Sequence, residues 1–205
     1  MNSELKLGWC SYKAAKYACE NWHYSKCMPA GKLIKVGVWE NEKFIGAVIF
    51  GRGANNNMGK EFLLKSIECA ELVRVALDKH KNNVTRIVSI AIKKLKNLCS
   101  GLRLIYSYAD SEQGHTGKIY QAGNWIYTGV SISTETIING KRMHNRSVHS
   151  IYGCNSLEYI RKNVDKNAKH IQCGAKYRYL MPLDKDMRIK AMKKAMDYPK
   201  CAQVV

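Results

Sequence analysis

Between residues 84 and 110 a clear helical repeat gives way to a nearly continuous apolar strand, the alternation expected of a sheet flanked by helices. Val84, Ile87, Val88, Ala91, Leu95 and Leu98 recur at helical spacing, with Arg86, Lys93, Lys94 and Lys96 on the remaining surface. Asn82 or Asn83 is placed to cap the start, and Ser100-Gly101 closes the helix. Leu102 to Ala109 then fills nearly every position with apolar or aromatic residues, the mark of a strand buried on both faces. Such a strand belongs inside a sheet covered by helices, and Asp110 sits where it runs out.

The flanking sequence extends this frame. Tyr12 to Trp22 has helical spacing, and Leu33–Trp39 with Phe44–Phe50 reads as a hairpin. Gly51 to Gly59 reads as a polar loop, and Ile67 to Leu77 as a strand with Arg74 in its middle. A short helix is expected over Thr116 to Ala122 and a strand over Trp125 to Ser133. Asn139-Gly140 predicts a hairpin joining Thr134–Ile138 to Lys141–Val148. Lys176 to Leu180 reads as a final strand. Asp186 to Met196 reads as a basic helix whose Ile189, Met192 and Met196 form a stripe expected to pack in the core. The expectation is one α/β domain over residues 1–205, a mixed sheet flanked by helices, with a basic extension from about residue 150.

Charge narrows the partners. Lys plus Arg is 34 against 16 for Asp plus Glu, a formal +18. A field of that sign concentrates polyanions, so nucleic acid leads, with anionic membrane and ribosomal RNA as competitors. The eight cysteines include no Cys-x-x-Cys pair, and several lie inside apolar runs as small hydrophobes. No secretory segment is seen, and no apolar stretch nears the roughly 18 residues of a membrane span. Reduced thiols in a cytoplasmic protein are expected. His144, His149 and Cys154, or His170 and Cys173, do not match the paired spacing of structural zinc, so no metal ligands are assigned.

The chemistry concentrates in SYADSEQGHTGKIYQAGNWIYTG, Ser107 to Gly129. Ligands of open α/β sheets bind at strand carboxyl ends, where Asp110 lies. Gly114, His115 and Gly117 form a turn that brings backbone amides toward a ligand, and Tyr120 follows on the next helix. Taken alone, the same residues fit a plain strand-to-helix turn with Asp110 as its cap.

The IYQAGNWIYTG stretch resembles the late helix–strand pair of GNAT acetyltransferases. The whole string, with His23-Tyr24-Ser25 ahead of Met28-Pro29 and with Glu71-Leu72-Val73-Arg74, resembles the Mom family of phage DNA-modification proteins. That resemblance implies a GNAT-like fold that decorates adenine N6 of duplex DNA with a carbamoylmethyl (glycinamide-like) group and so protects phage DNA from restriction. It makes His23, Tyr24, Ser25, Arg74, Asp110 and Tyr120 the catalytic candidates. Asp110 or His23 would serve as base or orient the amine, Arg74 would hold an anion, and Tyr120 would protonate the departing group. The chain departs from GNAT enzymes at DKHKNNVTR, Asp78 to Arg86, which lacks the glycines of a pyrophosphate loop and offers Lys79, Lys81 and Arg86 instead. Acetyl-CoA and glycyl-tRNA both fit as donors. Lys93, Lys94, Lys141, Arg142, Arg146, Lys193 and Lys194 are the expected DNA contacts, and a homodimer suits a protein scanning duplex DNA. The competing functions are an ordinary amine acetyltransferase and a non-catalytic nucleic-acid binder.

Overall fold

A computed structural model describes residues 4–52, 57–132 and 134–199, apart from the side chain of Arg146. The chain opens with β1 (Leu5–Trp9), α1 (Tyr12–Trp22), β2 (Leu33–Glu40) and β3 (Lys43–Gly51). Ser11 caps α1, its hydroxyl accepting from the Ala14 amide at 3.1 Å. Next come β4 (Cys69–Leu77), α2 (Val84–Leu98), β5 (Leu104–Asp110), α3 (Lys118–Ala122) and β6 (Ile126–Ser131). After them follow β7 (Thr134–Ile138), β8 (Lys141–His144), α4 (Asn145–Tyr152), α5 (Leu157–Asn163), β9 (Lys169–Gln172), β10 (Lys176–Pro182) and α6 (Lys185–Met192).

Seven strands form the main sheet in the order β1-β2-β3-β4-β5-β10-β6, parallel only between β4 and β5. Alternation along β3 assigns the faces. Val48 and Phe50 join the core with Ile87, Ala91 and Leu95 of α2, while Ala47 and Ile49 meet Ala15, Ala18 and Cys19 of α1. Leu104 and Tyr106 of β5 point to the α1 face too, where Met187 and Ala191 of α6 cover them. The expected fold class, a mixed sheet flanked by helices, is what the structure shows.

Three expectations change. The residues beyond about 150 are no simple extension, because β10 enters the main sheet between β5 and β6 and supplies core residues Tyr179 and Leu180. The segment between β6 and β10 builds a second sheet, β8-β7-β9, closed by α4 and α5 over Ile138, Val148, Ile160 and Ala168. Its second hairpin strand ends at His144 and helix α4 begins at Asn145, short of the predicted Val148. On α6 the stripe expected in the core faces out. Ile189, Met192 and Met196 are exposed, and Met187 and Ala191 are the buried pair. Asp184 caps the helix through the Met187 amide at 2.8 Å, which directs Met187 inward. Of the Gly51 to Gly59 loop, residues 53–56 lie outside the described residues, as does Ser133.

Candidate active site

β4 and β5 pair only over Cys69↔Leu104, Ala70↔Ile105 and Glu71↔Tyr106, and then part. At the point of parting the Ser107 hydroxyl donates to the Leu72 carbonyl at 2.8 Å, replacing a ladder bond with a side chain. Ser107 has one proton and a carbonyl can only accept. The 2.7 Å contact between Ser107 Oγ and Tyr120 Oη is therefore donated by the phenol. Burial pushes the Tyr120 phenol up to about 12, which keeps that proton in place at neutral pH.

Two cavities meet at this wedge. One, about 550 Å³, runs between Trp22 and His23 at the end of α1 and the turn from Gly114 to Tyr120. The other, about 690 Å³, is bordered by Arg74, Tyr106, Asp110 and Arg178. Tyr24, Val73 and Tyr108 line both.

His23 is buried, and its Nδ1 accepts from the Ser25 amide at 3.1 Å and meets Ser25 Oγ at 2.8 Å. An amide donates only, so the neutral ring carries its proton on Nε2. Burial, then the Arg74 and His115 charges, lowers the His23 pKa to about 4. A neutral ring with Nδ1 occupied and Nε2 protonated is a hydrogen-bond donor, not the base expected from the sequence. Tyr24 stacks on His23 at 4.2 Å and meets His115 edge-on at 5.1 Å. Burial and the nearby Asp110 carboxylate raise the Tyr24 pKa. Asp110 stands at the end of β5, one carboxylate oxygen accepting from the Glu112 amide at 3.0 Å. It is thus a cap and a cavity-lining carboxylate at once. Arg74 donates from Nη1 to the Val73 carbonyl at 2.9 Å, and its buried Nε has no hydrogen-bond partner among the described residues.

The structure thus brings His23, Tyr24, Ser25, Arg74, Asp110, His115 and Tyr120 around one wedge. Of the expected cofactor-binding residues, Gly114, His115 and Gly117 line the smaller cavity, and Lys81 and Arg86 lie in or beside the β4–α2 loop. Gly114 and His115 spend their amides closing their own turn onto Ser111 and Asp110. Gly117 is left-handed, at φ 82°, and a Cβ there would meet the Tyr179 ring at 2.4 Å. In the β4–α2 loop the amides of Lys81 and Asn82 hold the buried Glu40 carboxylate at 2.9–3.2 Å, and Arg86 is bonded to Asn82. An internal carboxylate takes the Lys81 and Asn82 amides, so these two are not free to hold a pyrophosphate.

Among the expected DNA contacts, Arg142 is tied to Glu112 and Glu135, and Lys194 to Glu61. Lys93 and Lys94 ride on α2, across the sheet from the larger cavity, with Lys94 over the Trp9 ring at 5.7 Å. Lys141 opens β8 and Lys193 follows α6, both exposed, and the Arg146 side chain lies outside the described residues. Sequence reading passed over Ser107, Glu40 and Tyr106. The signal for Ser107 was a lone hydroxyl in the otherwise apolar run LIYSYA; for Glu40 there was none, since its partners lie about 40 residues away. Among the described residues no His, Cys, Asp and Glu side chains gather to hold a metal ion, and no helix is long and apolar enough to cross a membrane.

The family model for the Mom protein family matches residues 4–200. The chain belongs to the Mom protein family. Within it, the methylcarbamoylase Mom of Escherichia phage Mu is 27% identical over 207 residues, spanning 97% of this chain and 85% of the relative. By structure the chain is similar to an acetyltransferase of Bacillus subtilis solved with CoA (13% identity, 89% of this chain and 100% of that one, TM-score 0.44). A probable GNAT-family acetyltransferase of Chromobacterium violaceum aligns at 9% identity over 89% of this chain and 84% of its own, TM-score 0.48. The spermidine/spermine N-acetyltransferase SpeG of Vibrio cholerae aligns at 12% identity over 91% and 96%, TM-score 0.47. In this Mom-family chain the wedge between β4 and β5 is where the residues quoted for the resemblance converge.

Proposed function

We propose that this chain is a transferase that adds a small acyl-derived (carbamoylmethyl or glycinamide-like) group to N6 of adenine in duplex DNA, protecting that DNA from restriction. The observation that carries the reading is the junction of two cavities at Tyr24, Val73 and Tyr108, since group transfer needs a donor and an acceptor to meet at one point. The phage Mu relative, named a methylcarbamoylase, supports the type of group moved.

In this reading the base, flipped from the duplex, enters the larger cavity, whose Tyr106 and Tyr108 and exposed Tyr24 offer stacking surfaces. The adenine amine is a weak nucleophile. Asp110 accepts its proton as N6 attacks the donor's carbonyl carbon and that carbon's bond to the carrier breaks, leaving an N6-acyl group that, from a glycyl donor, is the isomer of carbamoylmethyl. His23 presents Nε2–H as a neutral donor to the oxygen of the transferred group, and Arg74 holds negative charge beside it. Tyr120, held protonated, returns a proton to the carrier once its bond to Ser107 opens. Acetyl-CoA and glycyl-tRNA are the two donors to supply. Glycyl-tRNA carries the two carbons and the nitrogen of a glycinamide-like group, whereas acetyl-CoA would leave a plain acetyl group. The Lys81 and Asn82 amides in the β4–α2 loop are already taken by Glu40. The protein acts where DNA is, in the host cytoplasm.

The test is mass spectrometry of nucleosides from plasmid DNA of expressing cells. A heavier deoxyadenosine with the wild type, absent with Asp110→Ala and reduced with Tyr120→Phe, is expected. Unmodified DNA beside abundant folded protein, with either donor supplied, overturns the reading.

A further inference from the structure

The face that carries α1 and α6 also carries a trough. The 690 Å³ cavity continues into one of about 940 Å³ between the Cys27–Leu33 loop and α4, and the two share Glu71, Val73, Arg74 and His144. Charged residues of both signs line it. Two of the carboxylates that line it are engaged with the protein: Glu61 pairs with Arg178 and Lys194, and Asp110 accepts from the Glu112 amide. Lys32 and Arg52 at one end, and Lys60 and Lys176 at the other, are different. Among the described residues none of these four is in an ion pair.

A second observation lies on the trough's floor. Tyr106 lines the 690 Å³ cavity, is 2% exposed as a residue, and its buried hydroxyl has no hydrogen-bond partner among the described residues, as is true of Arg74 Nε. Buried polar groups without partners cost about 1–3 kcal/mol each, so two at one cavity point to a ligand that brings polar atoms with it.

We propose that Lys32, Arg52, Lys60 and Lys176 are the phosphate contacts of the DNA strand, which runs along this trough and delivers its base onto Tyr106 and Arg74. The inference rests on the reading of the chain as a DNA-modifying transferase. It assigns the strand to this face and away from the lysines of α2. The unpaired rim cations release counterions from the backbone, and the polar floor reads the base.

The experiment compares three proteins: wild type, a quadruple variant with Lys32, Arg52, Lys60 and Lys176 each changed to Ser, and Lys93→Ser/Lys94→Ser. Binding to a labelled duplex is measured over a salt series, and adenine modification by nucleoside mass spectrometry, with circular dichroism and melting as folding checks. Each phosphate contact contributes about 0.9 to the slope of log affinity against log salt. The quadruple variant is expected to lose about 3–4 of slope and at least tenfold of modification, while the α2 variant keeps both to within about twofold. Tyr106→Phe, as a second variant, is expected to melt no lower than wild type yet modify at least tenfold less. A quadruple variant that binds and modifies like wild type, or an α2 variant that loses more, overturns the face and leaves the reaction standing. Wild type that binds DNA through these cations but modifies no base overturns the reaction and leaves the face. Wild type that binds RNA or an acidic protein but not duplex DNA overturns both.

Discussion

The Tyr120 phenol donates to the Ser107 hydroxyl at 2.7 Å, and Ser107 in turn donates to the Leu72 carbonyl at 2.8 Å, so two side chains close the gap where β4 and β5 part. The order of the protons makes the two residues unequal. Ser107→Ala strands both the carbonyl and the phenol in a buried site and is expected to cost about 2–3 kcal/mol. Tyr120→Phe removes one bond and leaves Ser107 on Leu72, for about 1 kcal/mol. Chemical denaturation of the two variants checks this; a larger loss for Tyr120→Phe would reverse the assigned direction.

His23 gives the fold a pH dependence. Its folded pKa, about 4, lies below the ordinary 6.5, so between those values the unfolded chain binds a proton that the folded one refuses. Stability from this group is therefore full above pH 6.5 and falls as pH drops toward 4. Discounted for solvent at the cavity mouth, the loss is on the order of 2 kcal/mol. Melting curves of wild type and His23→Gln from pH 7 to 4 should converge; parallel curves would refute the assignment.

Glu40 is a structural anion. It is 8% exposed and takes hydrogen bonds from the Lys81 and Asn82 amides and from Asn82 Nδ2. Glu40→Gln keeps the shape but removes the charge and puts an amide donor before those donors, at an expected cost of about 2–4 kcal/mol. Thermal denaturation reads it, and an unchanged melting temperature would show that the loop stands without the carboxylate.

Gly117→Ala is expected to be severe for two reasons at one position. The backbone is left-handed and the added methyl meets the Tyr179 ring at 2.4 Å. A loss of roughly 2–4 kcal/mol follows from strain plus overpacking. Gly114→Ala, with φ 67° and open space around it, should cost only about 1 kcal/mol. Equal losses in denaturant would contradict the packing argument.

Asp184 links the last helix to the sheet. It caps α6 and accepts twice from Arg103, which holds its carboxyl down at about 2. Asp184→Ala should cost about 1–2 kcal/mol above pH 4 and progressively less as pH falls toward 2, where the wild-type carboxylate is itself protonated. Acid titration of both proteins by circular dichroism tests the window.

The sequence by itself determined the elements whose burial repeats locally: helix α2, the apolar strand β5, the first hairpin, and Asp110 at a strand end beside a glycine turn. Periodicity records which side of a segment is buried, and for these segments one neighbour suffices to explain it. The tertiary structure decided everything that rests on distant partners. Ser107 reads as one polar residue in an apolar run until Leu72, 35 positions earlier, supplies its acceptor. Glu40 becomes the loop's anion only because the β2–β3 hairpin ends against residues 81 and 82. The apolar stripe of α6 was legible but faced the wrong way, since which face is buried depends on β10 joining the sheet between β5 and β6. Periodicity reports that a face exists; only the packing of separate segments decides what it meets.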